Sequence, residues 1–234
     1  MKTTKPSIME TAEEKPVATS APMTKAGKKD RRHLRGLASA QRIIDTTIRL
    51  IAEDGIAGVT MQRIAEQIGS SNALVVFHFG TKEKLYRAVL EYLNDQFARL
   101  WQETVLLPEH SAAERIVAAI DCARDFRRQH PDWVTVWVVF SSDRQTGQLD
   151  RMISLPSDHA YLAQTREFLA EVARDGGYEG VDVDTLSEGL NYLVQGAWYW
   201  DTFNPDRIWS DALHKNAMTL LRQAFPRSFP AADD

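Results

Sequence analysis

The stretch "GSSNALVVFHFGTKEKLY", residues 69–86, determines how the N-terminal third of this chain folds. It begins with a glycine and two serines, continues through a short apolar segment and ends in alternating charge. Glycine commonly ends a helix, and a serine or threonine in front of an apolar run commonly caps the next one. We therefore predict that one short helix ends near Gly69, that Ser70 or Ser71 caps a second, and that Thr81 caps a longer third helix.

The residues upstream of this stretch also have helical periodicity. Apolar side chains recur at three- and four-residue steps between Ala40 and Ile51, which predicts an amphipathic helix over residues 39–54. Thr60 then caps a short helix that ends near Gly69. Two short helices joined by a tight glycine-containing turn are typical of a helix-turn-helix, whose second helix enters the major groove of DNA.

The second of these short helices contains polar residues at its start and apolar residues after it. Ser71 and Asn72 are placed to meet phosphates or base edges, and Lys82 is expected near the line of phosphates. A helical hairpin inside an all-α domain has the same spacing, so spacing alone leaves both readings open. The apolar residues are expected to hold the helix against its neighbours: Leu74, Val75, Phe77 and Phe79.

A longer pattern favours a DNA-binding helix-turn-helix over a helical hairpin inside an all-α domain. It consists of residues at fixed spacing within residues 40–90: Gly55, Thr60, Ile64, Ala65, Gly69, Ser71, Val75, His78, Phe79, Lys82, Glu83 and Leu85. In this pattern the segment resembles the DNA-binding domain of the tetracycline-repressor (TetR) family. The resemblance implies a ligand-responsive transcriptional regulator, in the form of a repressor. It also implies positions that contact DNA or lie beside it: Thr60, Ser71, Asn72, His78 and Lys82.

One position departs from the family pattern. Many members have a phosphate-contacting tyrosine where this chain has Val76. Either another residue makes that contact, or DNA binding is weaker here or depends more on the N-terminal arm.

Positive charge is concentrated at the N-terminus. Residues 1–35 contain nine Lys and Arg against four Asp and Glu, whereas the rest of the chain contains 19 against 28. A solvated flexible tail often has this composition, and so does an arm that follows DNA phosphates. We expect residues 1–35 to form a disordered basic arm. The arm residues assigned to DNA binding are Lys28, Lys29, Arg31 and Arg32.

Beyond residue 85 the sequence predicts only helices, so the fold class is all-α. Capping boxes are expected at Ser111/Glu114 and at Thr185/Glu188. We divide the chain into the arm at 1–35, a helix-turn-helix domain at 36–85 and an effector-binding and dimerisation domain at 86–234. The expected helices of the third part lie near 83–107, 112–130, 131–142, 158–175, 184–203 and 205–224.

Enzymatic chemistry has little support in the sequence. A glycine-rich phosphate loop, a nucleophile elbow and a metal-type cluster are all missing, so we predict no catalytic residue, metal or cofactor. The single Cys122 cannot form an internal disulfide. Residues 1–20 lack the apolar segment typical of a secretion signal, and the sequence lacks the roughly 20 consecutive apolar residues of a membrane span, so we expect neither. We expect a cytoplasmic protein without membrane contact. The alternative is a helical enzyme or small-molecule carrier that no longer reads DNA.

Tryptophans in the C-terminal part provide a further signal. Trp133 and Trp137 form one group, and Trp198 and Trp200 with Asp201 form another. Aromatic rows at helical spacing are most often core or dimer-interface packing, but such rings beside a carboxylate also bind cations. In this alternative Asp201 or Asp143 balances the charge.

The segments "WVTVWVVFSSDRQTGQLDRM" and "LNYLVQGAWYWDTF" are loosely similar to the choline-responsive repressors of the BetI type. This similarity indicates the subgroup and does not identify the effector. The aromatic groups beside a carboxylate are the feature that fits a small effector such as a quaternary ammonium compound.

A dimer is expected because one helix-turn-helix reads only a few base pairs of a palindromic double-stranded operator. The helices at 184–203 and 205–224 are the expected interface of a homodimer. The residues expected to line it are Leu190, Val194, Ala197, Leu213, Ala217 and Leu220.

Overall fold

The computed structural model describes residues 25–204 and 208–230, and of residues 25–32 it describes the backbone alone. These residues form ten α-helices and two short 3-10 helices, with no strand in the described ranges, which confirms the all-α class. Contacts divide the chain into two compact units, of which the first ends at Ala38 and the second begins at Ser39.

The N-terminal helices form the expected helix-turn-helix. Helix α1 begins earlier than the predicted residue 39, so the backbone of residues 25–35, assigned above to a disordered arm, is helical. The side chains of Lys28, Lys29, Arg31 and Arg32 lie outside the described part of the chain. The elements are α1 (Lys25–Asp54), a 3-10 helix (Ile56–Gly58), α2 (Met61–Gln67), α3 (Asn72–Phe79) and α4 (Lys82–Thr104).

Three hydroxyl side chains cap the starts of α2, α3 and α4, as the sequence predicts. Thr60 Oγ1 accepts from the backbone N–H of Arg63 at 3.1 Å, and Ser71 Oγ accepts from that of Leu74 at 3.3 Å. Thr81 Oγ1 accepts in the same way from the residue three positions later, at 3.2 Å. Each such cap stabilises its helix by about 1 kcal/mol. Gly69 has a φ of 64°, a left-handed conformation that allows the tight turn between α2 and α3.

Six further helices make up the larger part of the chain. The Ser111/Glu114 capping box of α5 is confirmed. The predicted Thr185/Glu188 box is wrong, because Asp182 caps α9 one turn earlier by accepting from the backbone N–H of Thr185. The helices are α5 (Ala112–Gln129), α6 (Pro131–Ser142), α7 (Gly147–Ile153), α8 (Leu155–Asp175), α9 (Val183–Phe203) and α10 (Leu213–Ala224), with a 3-10 helix at Trp209–Ala212.

Two hydrophobic clusters hold these helices together. The first, here called the shared cluster, combines buried residues of α1–α4 with Val136 and Phe140 of α6 and Leu149 of α7. The second lies among α4, α5, α6, α8, α9 and α10. The predicted domain boundary at residue 85 therefore does not coincide with a gap in packing.

Hydropathy along the described helices gives no membrane span, since none of them combines the necessary length with the necessary apolar character.

Candidate DNA-reading face and effector cavity

The start of α3 is open to solvent. Thr60, Ser71 and Asn72 are exposed. Ser71 is the N-cap and Asn72 the first residue of α3, so free backbone N–H groups and the positive end of the helix dipole lie beside both side chains. This end of α3 has the geometry that attracts a phosphate.

Two further predicted DNA residues lie farther from solvent. His78 is half-buried, with its ring edge-on to Phe77 at a centroid distance of 5.4 Å. The half-buried Lys82 donates from Nζ to the backbone carbonyl of Ile56 at 3.3 Å, and it lies 5.2 Å from the centre of the Tyr86 ring. Burial lowers the pKa of Lys82. The ammonium is thus held at the loop after α1.

The expectation that Phe77 holds α3 against its neighbours is wrong. Phe77 is 81% exposed, and the adjacent Val76 is 42% exposed. Val75 is buried, and the residue two positions further along a helix points to a direction about 200° away around the axis. Because α3 carries apolar residues on both faces, its pattern did not distinguish the inward face from the outward one.

The larger part contains two neighbouring cavities, here called chambers, which share part of their lining. The apolar chamber, about 670 Å³ with its open mouth, lies mainly between α5, α8 and α9. The aromatic chamber, about 540 Å³, lies mainly between α4, α6, α8 and α9. Their common wall consists of Phe97, Asp158, Tyr161, Gln195 and Trp198, which line both chambers.

Aromatic rings meet at the aromatic chamber. The indoles of Trp137 and Trp198 lie nearly parallel, with centroids 5.9 Å apart and planes 9° apart. Phe97 stands edge-on to both indoles, and its ring is 5.2 Å from that of Tyr161. Trp198 Nε1 donates to the backbone carbonyl of Ala123 at 3.2 Å, which fixes the orientation of this indole.

Two carboxyl groups also line the aromatic chamber. Loss of solvent around the carboxyl of Asp158, together with the nearby charge of Asp150, raises the pKa of Asp158 to about 6, although part of this residue faces water. Burial likewise raises the pKa of Asp150. Aromatic faces beside two incompletely solvated carboxylates form a site that favours a cation.

The structure brings only part of the predicted cage together. Trp137 and Trp198 line the aromatic chamber. Trp133 lies outside both chambers and stacks on His130 at a centroid distance of 4.0 Å. Trp200 is 47% exposed, with its ring 5.6 Å from that of Trp209.

Asp201 has a structural position instead of facing the cavity. Its carboxylate is buried 3.5 Å from Arg127 Nε and accepts hydrogen bonds from the backbone N–H groups of Trp209 and Ser210. The other proposed acid, Asp143, accepts from the backbone N–H groups of Gln145 and Thr146, and these bonds lower the pKa of Asp143. Both carboxylates already have their partners within the protein.

Sequence reasoning missed the cavity residues of α4 and α8. Phe97 lies on α4, and Asp158 and Tyr161 lie on α8, far along the chain from the tryptophans. Each fits an ordinary amphipathic helix, so no local pattern distinguishes these residues from core residues.

The exposed face of α9 differs from the predicted dimer lining. Leu190, Leu213 and Ala217 are buried within the single chain, so that part of the expectation is wrong. Large exposed side chains instead follow one face of α9, at positions spaced seven, one and three residues apart: Tyr192, Tyr199, Trp200 and Phe203.

Possible metal ligands do not cluster in the described part of the chain. Among the side chains of residues 33–204 and 208–230, no set of three or more His, Cys, Asp and Glu lies close enough together to hold an ion. Cys122 is buried, and burial raises the pKa of its thiol to about 11.

Comparison with known proteins agrees with this architecture. Residues 43–89 match the family described as bacterial regulatory proteins, tetR family. The HTH-type transcriptional regulator BetI of Rhizobium meliloti is 31% identical over 156 residues, 66% of this chain and 73% of that protein. BetI of Serratia proteamaculans is 24% identical over 160 residues, 68% of this chain and 78% of that protein.

A solved structure provides a third comparison. It is a transcriptional regulator from Saccharomonospora viridis in complex with choline, which superposes with a TM-score of 0.66 at 20% identity over 79% of this chain and 96% of that one. The all-helical fold, with α2 and α3 arranged as a helix-turn-helix, defines a helix-turn-helix transcriptional regulator. The chain belongs to the TetR family, and within that family it is similar to the BetI regulators.

Proposed function

We propose that this protein is a repressor that binds a palindromic operator as a homodimer and leaves it when a quaternary ammonium effector occupies the aromatic chamber. The observation that carries the proposal is the meeting of Trp137, Trp198 and Phe97 with Asp150 and Asp158 in one cavity. Cation–π contacts at desolvated sites contribute about 2 kcal/mol each, so two or three give micromolar to millimolar affinity. The choline complex of the Saccharomonospora viridis regulator supports the same ligand class.

DNA binding is assigned to the start of α3 and to the basic segment of α1. Thr60, Ser71 and Asn72 present exposed polar groups at helix starts, where phosphates and base edges are reached. His78 and Lys82 are assigned positions beside the DNA. Phosphate contacts are also assigned to four basic residues of the arm: Lys28, Lys29, Arg31 and Arg32.

The dimer is assigned to α9 and α10. Tyr192, Tyr199 and Trp200 expose apolar surface on one face of α9, beside a shallow groove that reaches Leu213 and Asn216 of α10. An exposed aromatic face of this kind favours association. Two copies joined there hold two reading helices at a separation that matches two half-sites.

Coupling between the aromatic chamber and the reading head, the name used here for residues 39–104 of α1–α4, is assigned to α6. Trp137 and Ser141 of α6 line the aromatic chamber, while Phe140 of the same helix lies in the shared cluster, 5.1 Å from the Tyr86 ring. The Tyr86 hydroxyl donates to the carbonyl of Ile56, in the loop before α2. A ligand that prefers one position of α6 thereby favours one position of α2 and α3, as regulation requires.

Fluorescence anisotropy with DNA from its own or a neighbouring promoter tests the proposal. We expect binding that weakens steeply with salt and is reversed by choline, but not by its uncharged isostere in which carbon replaces nitrogen. Absence of binding to any flanking intergenic DNA at low salt would contradict the repressor function. Light scattering checks the dimer, which Tyr199→Glu should dissociate.

A pair of tryptophan variants tests the assigned chamber. Trp198→Leu removes one π face and should abolish the choline response, whereas Trp133→Leu alters a ring outside both chambers and should keep it. Thermal melting of both variants confirms that they fold. An intact choline response in Trp198→Leu would place the effector elsewhere.

A further inference from the structure

The aromatic chamber has an apolar neighbour. The apolar chamber borders it along Phe97, Asp158, Tyr161, Gln195 and Trp198, which line both chambers. A ligand held in the aromatic chamber therefore lies beside a second pocket of different lining.

The lining of the apolar chamber defines which ligand group fits there. Eleven of its sixteen lining residues are aliphatic or aromatic, and its polar residues are Thr165, Ser187 and Asn191 together with Asp158 and Gln195, which also line the aromatic chamber. Apolar surface of this kind gains stability when hydrocarbon replaces water against it. The aliphatic lining includes Ile116, Ala119, Ile120, Leu162, Leu190 and Val194.

The two chambers differ in the carboxylates that they contain. Asp150 lines only the aromatic chamber and Asp158 lines both, whereas Ile116 and Ala119 line only the apolar one. A ligand that satisfies both ends has a positive head and a hydrocarbon tail.

Building on the proposed function, we propose that the effector is an amphiphilic cation whose quaternary ammonium group lies between Trp137, Trp198 and Asp158 and whose alkyl chain fills the apolar chamber. A free headgroup such as choline then occupies one end of the site and binds more weakly. Each methylene group placed in the apolar chamber strengthens binding by about fourfold until the chamber is full.

Calorimetry with n-alkyltrimethylammonium ions tests this directly. The series runs from tetramethylammonium to decyltrimethylammonium, each used below its micelle concentration, with neutral isosteres in which carbon replaces nitrogen. We expect affinity to increase about fourfold per methylene and then level off. The neutral isosteres should bind more weakly at every chain length, because they lose the attraction to the rings and carboxylates.

Matched variants of α5 test where the alkyl chain of the ligand lies. Ala119→Phe fills the apolar chamber and should remove the dependence of affinity on chain length. Ala118→Phe, at a half-buried neighbouring position outside the cavity, should keep that dependence. Val194→Phe narrows the chamber from α9 and serves if Ala119→Phe fails to fold.

The outcomes separate this inference from the proposed function. If tetramethylammonium binds and longer chains add nothing, or if Ala119→Phe keeps the dependence on chain length, the tail assignment is overturned and the proposed effector class stands. If the neutral isosteres bind as well as the cations, the quaternary ammonium effector itself is overturned. If none of the compounds binds at any length, both fall.

Discussion

The helix starts of the reading head and the buried ion pair of the effector part, α5–α10, hold polar groups in different ways. In α2, α3 and α4 the capping hydroxyls accept from backbone groups three residues later, as Thr60 does from Arg63. In the effector part Arg127 meets Asp201, 74 positions away. A cap needs one turn of helix, whereas the ion pair needs α5 and α9 packed together. Substitution of a cap should therefore act locally, and substitution of the ion pair should weaken the packing between helices.

The largest expected effect concerns the cluster that the two regions share. Phe140→Ala removes a fully buried ring and should lower the free energy of unfolding by about 3 to 5 kcal/mol. Denaturant unfolding measures this loss. Phe77→Ala removes the most exposed ring of the reading head and should change the free energy of unfolding by no more than about 0.5 kcal/mol. Equal losses for the two variants would contradict the position of Phe140 between the regions.

A smaller effect is expected at the distant ion pair. Asp201→Asn leaves the Arg127 guanidinium buried without a charged partner and should lower the free energy of unfolding by about 3 kcal/mol. Asp211→Asn is the control, because Asp211 lies 3.7 Å from Arg128 on the surface and such pairs contribute about 0 to 1 kcal/mol. An unchanged free energy of unfolding in Asp201→Asn would contradict the stabilising role of this ion pair.

Effector affinity should depend on pH through Asp158. Because its pKa is about 6, Asp158 is mainly ionised above pH 6, and the ionised carboxylate attracts a cation. Affinity for a quaternary ammonium ion should therefore fall about tenfold from pH 7 to pH 5. Calorimetry at several pH values measures this change, and Asp158→Asn should give a flat profile with weak binding. A flat profile in the unmodified protein would remove Asp158 from the site.

Ionisation of Asp158, which should strengthen ligand binding, should lower the stability of the ligand-free protein. Because its folded pKa lies above the ordinary value of 3.8, folding favours the protonated form. That contribution to stability is complete below about pH 4 and is lost as the pH rises through 6. Asp158→Asn should thus raise the melting temperature of the ligand-free protein at pH 7 while it weakens binding.

The smallest expected effect is a change in operator affinity caused by a single substitution in α3. Val76→Tyr restores a hydroxyl at an exposed position of α3 and should tighten operator binding about fivefold, the gain of one hydrogen bond. Anisotropy at constant salt measures it, with melting temperature unchanged. Phe77→Tyr adds the same hydroxyl at the adjacent position and tests whether the gain is specific to residue 76.

The two regions also differ in what their sequence reveals. The caps at Thr60, Ser71 and Thr81 were predictable, because each signal and its partner lie within one turn. Trp137 and Trp198 were correctly predicted to lie near each other. The sequence, however, suggested Asp201 as the carboxylate that balances a cation, whereas the structure has Asp158 in the aromatic chamber. Nothing near Asp158 in the sequence indicates a cavity, because its neighbours there come from other helices. The apolar pattern of α3 likewise could not assign Phe77 to the exposed face.

The shared cluster limits how this regulator can be re-engineered. Chimeric regulators are made by joining the reading head of one relative to the sensor of another, which assumes that the head is a self-contained module. Here Val136, Phe140 and Leu149 complete the core beneath α1–α4. A head cut after α4 would lose these three side chains and expose the apolar surface that they cover. A working chimera must therefore carry the facing residues of α6 and α7 along with the head, so the natural unit of exchange is discontinuous in sequence.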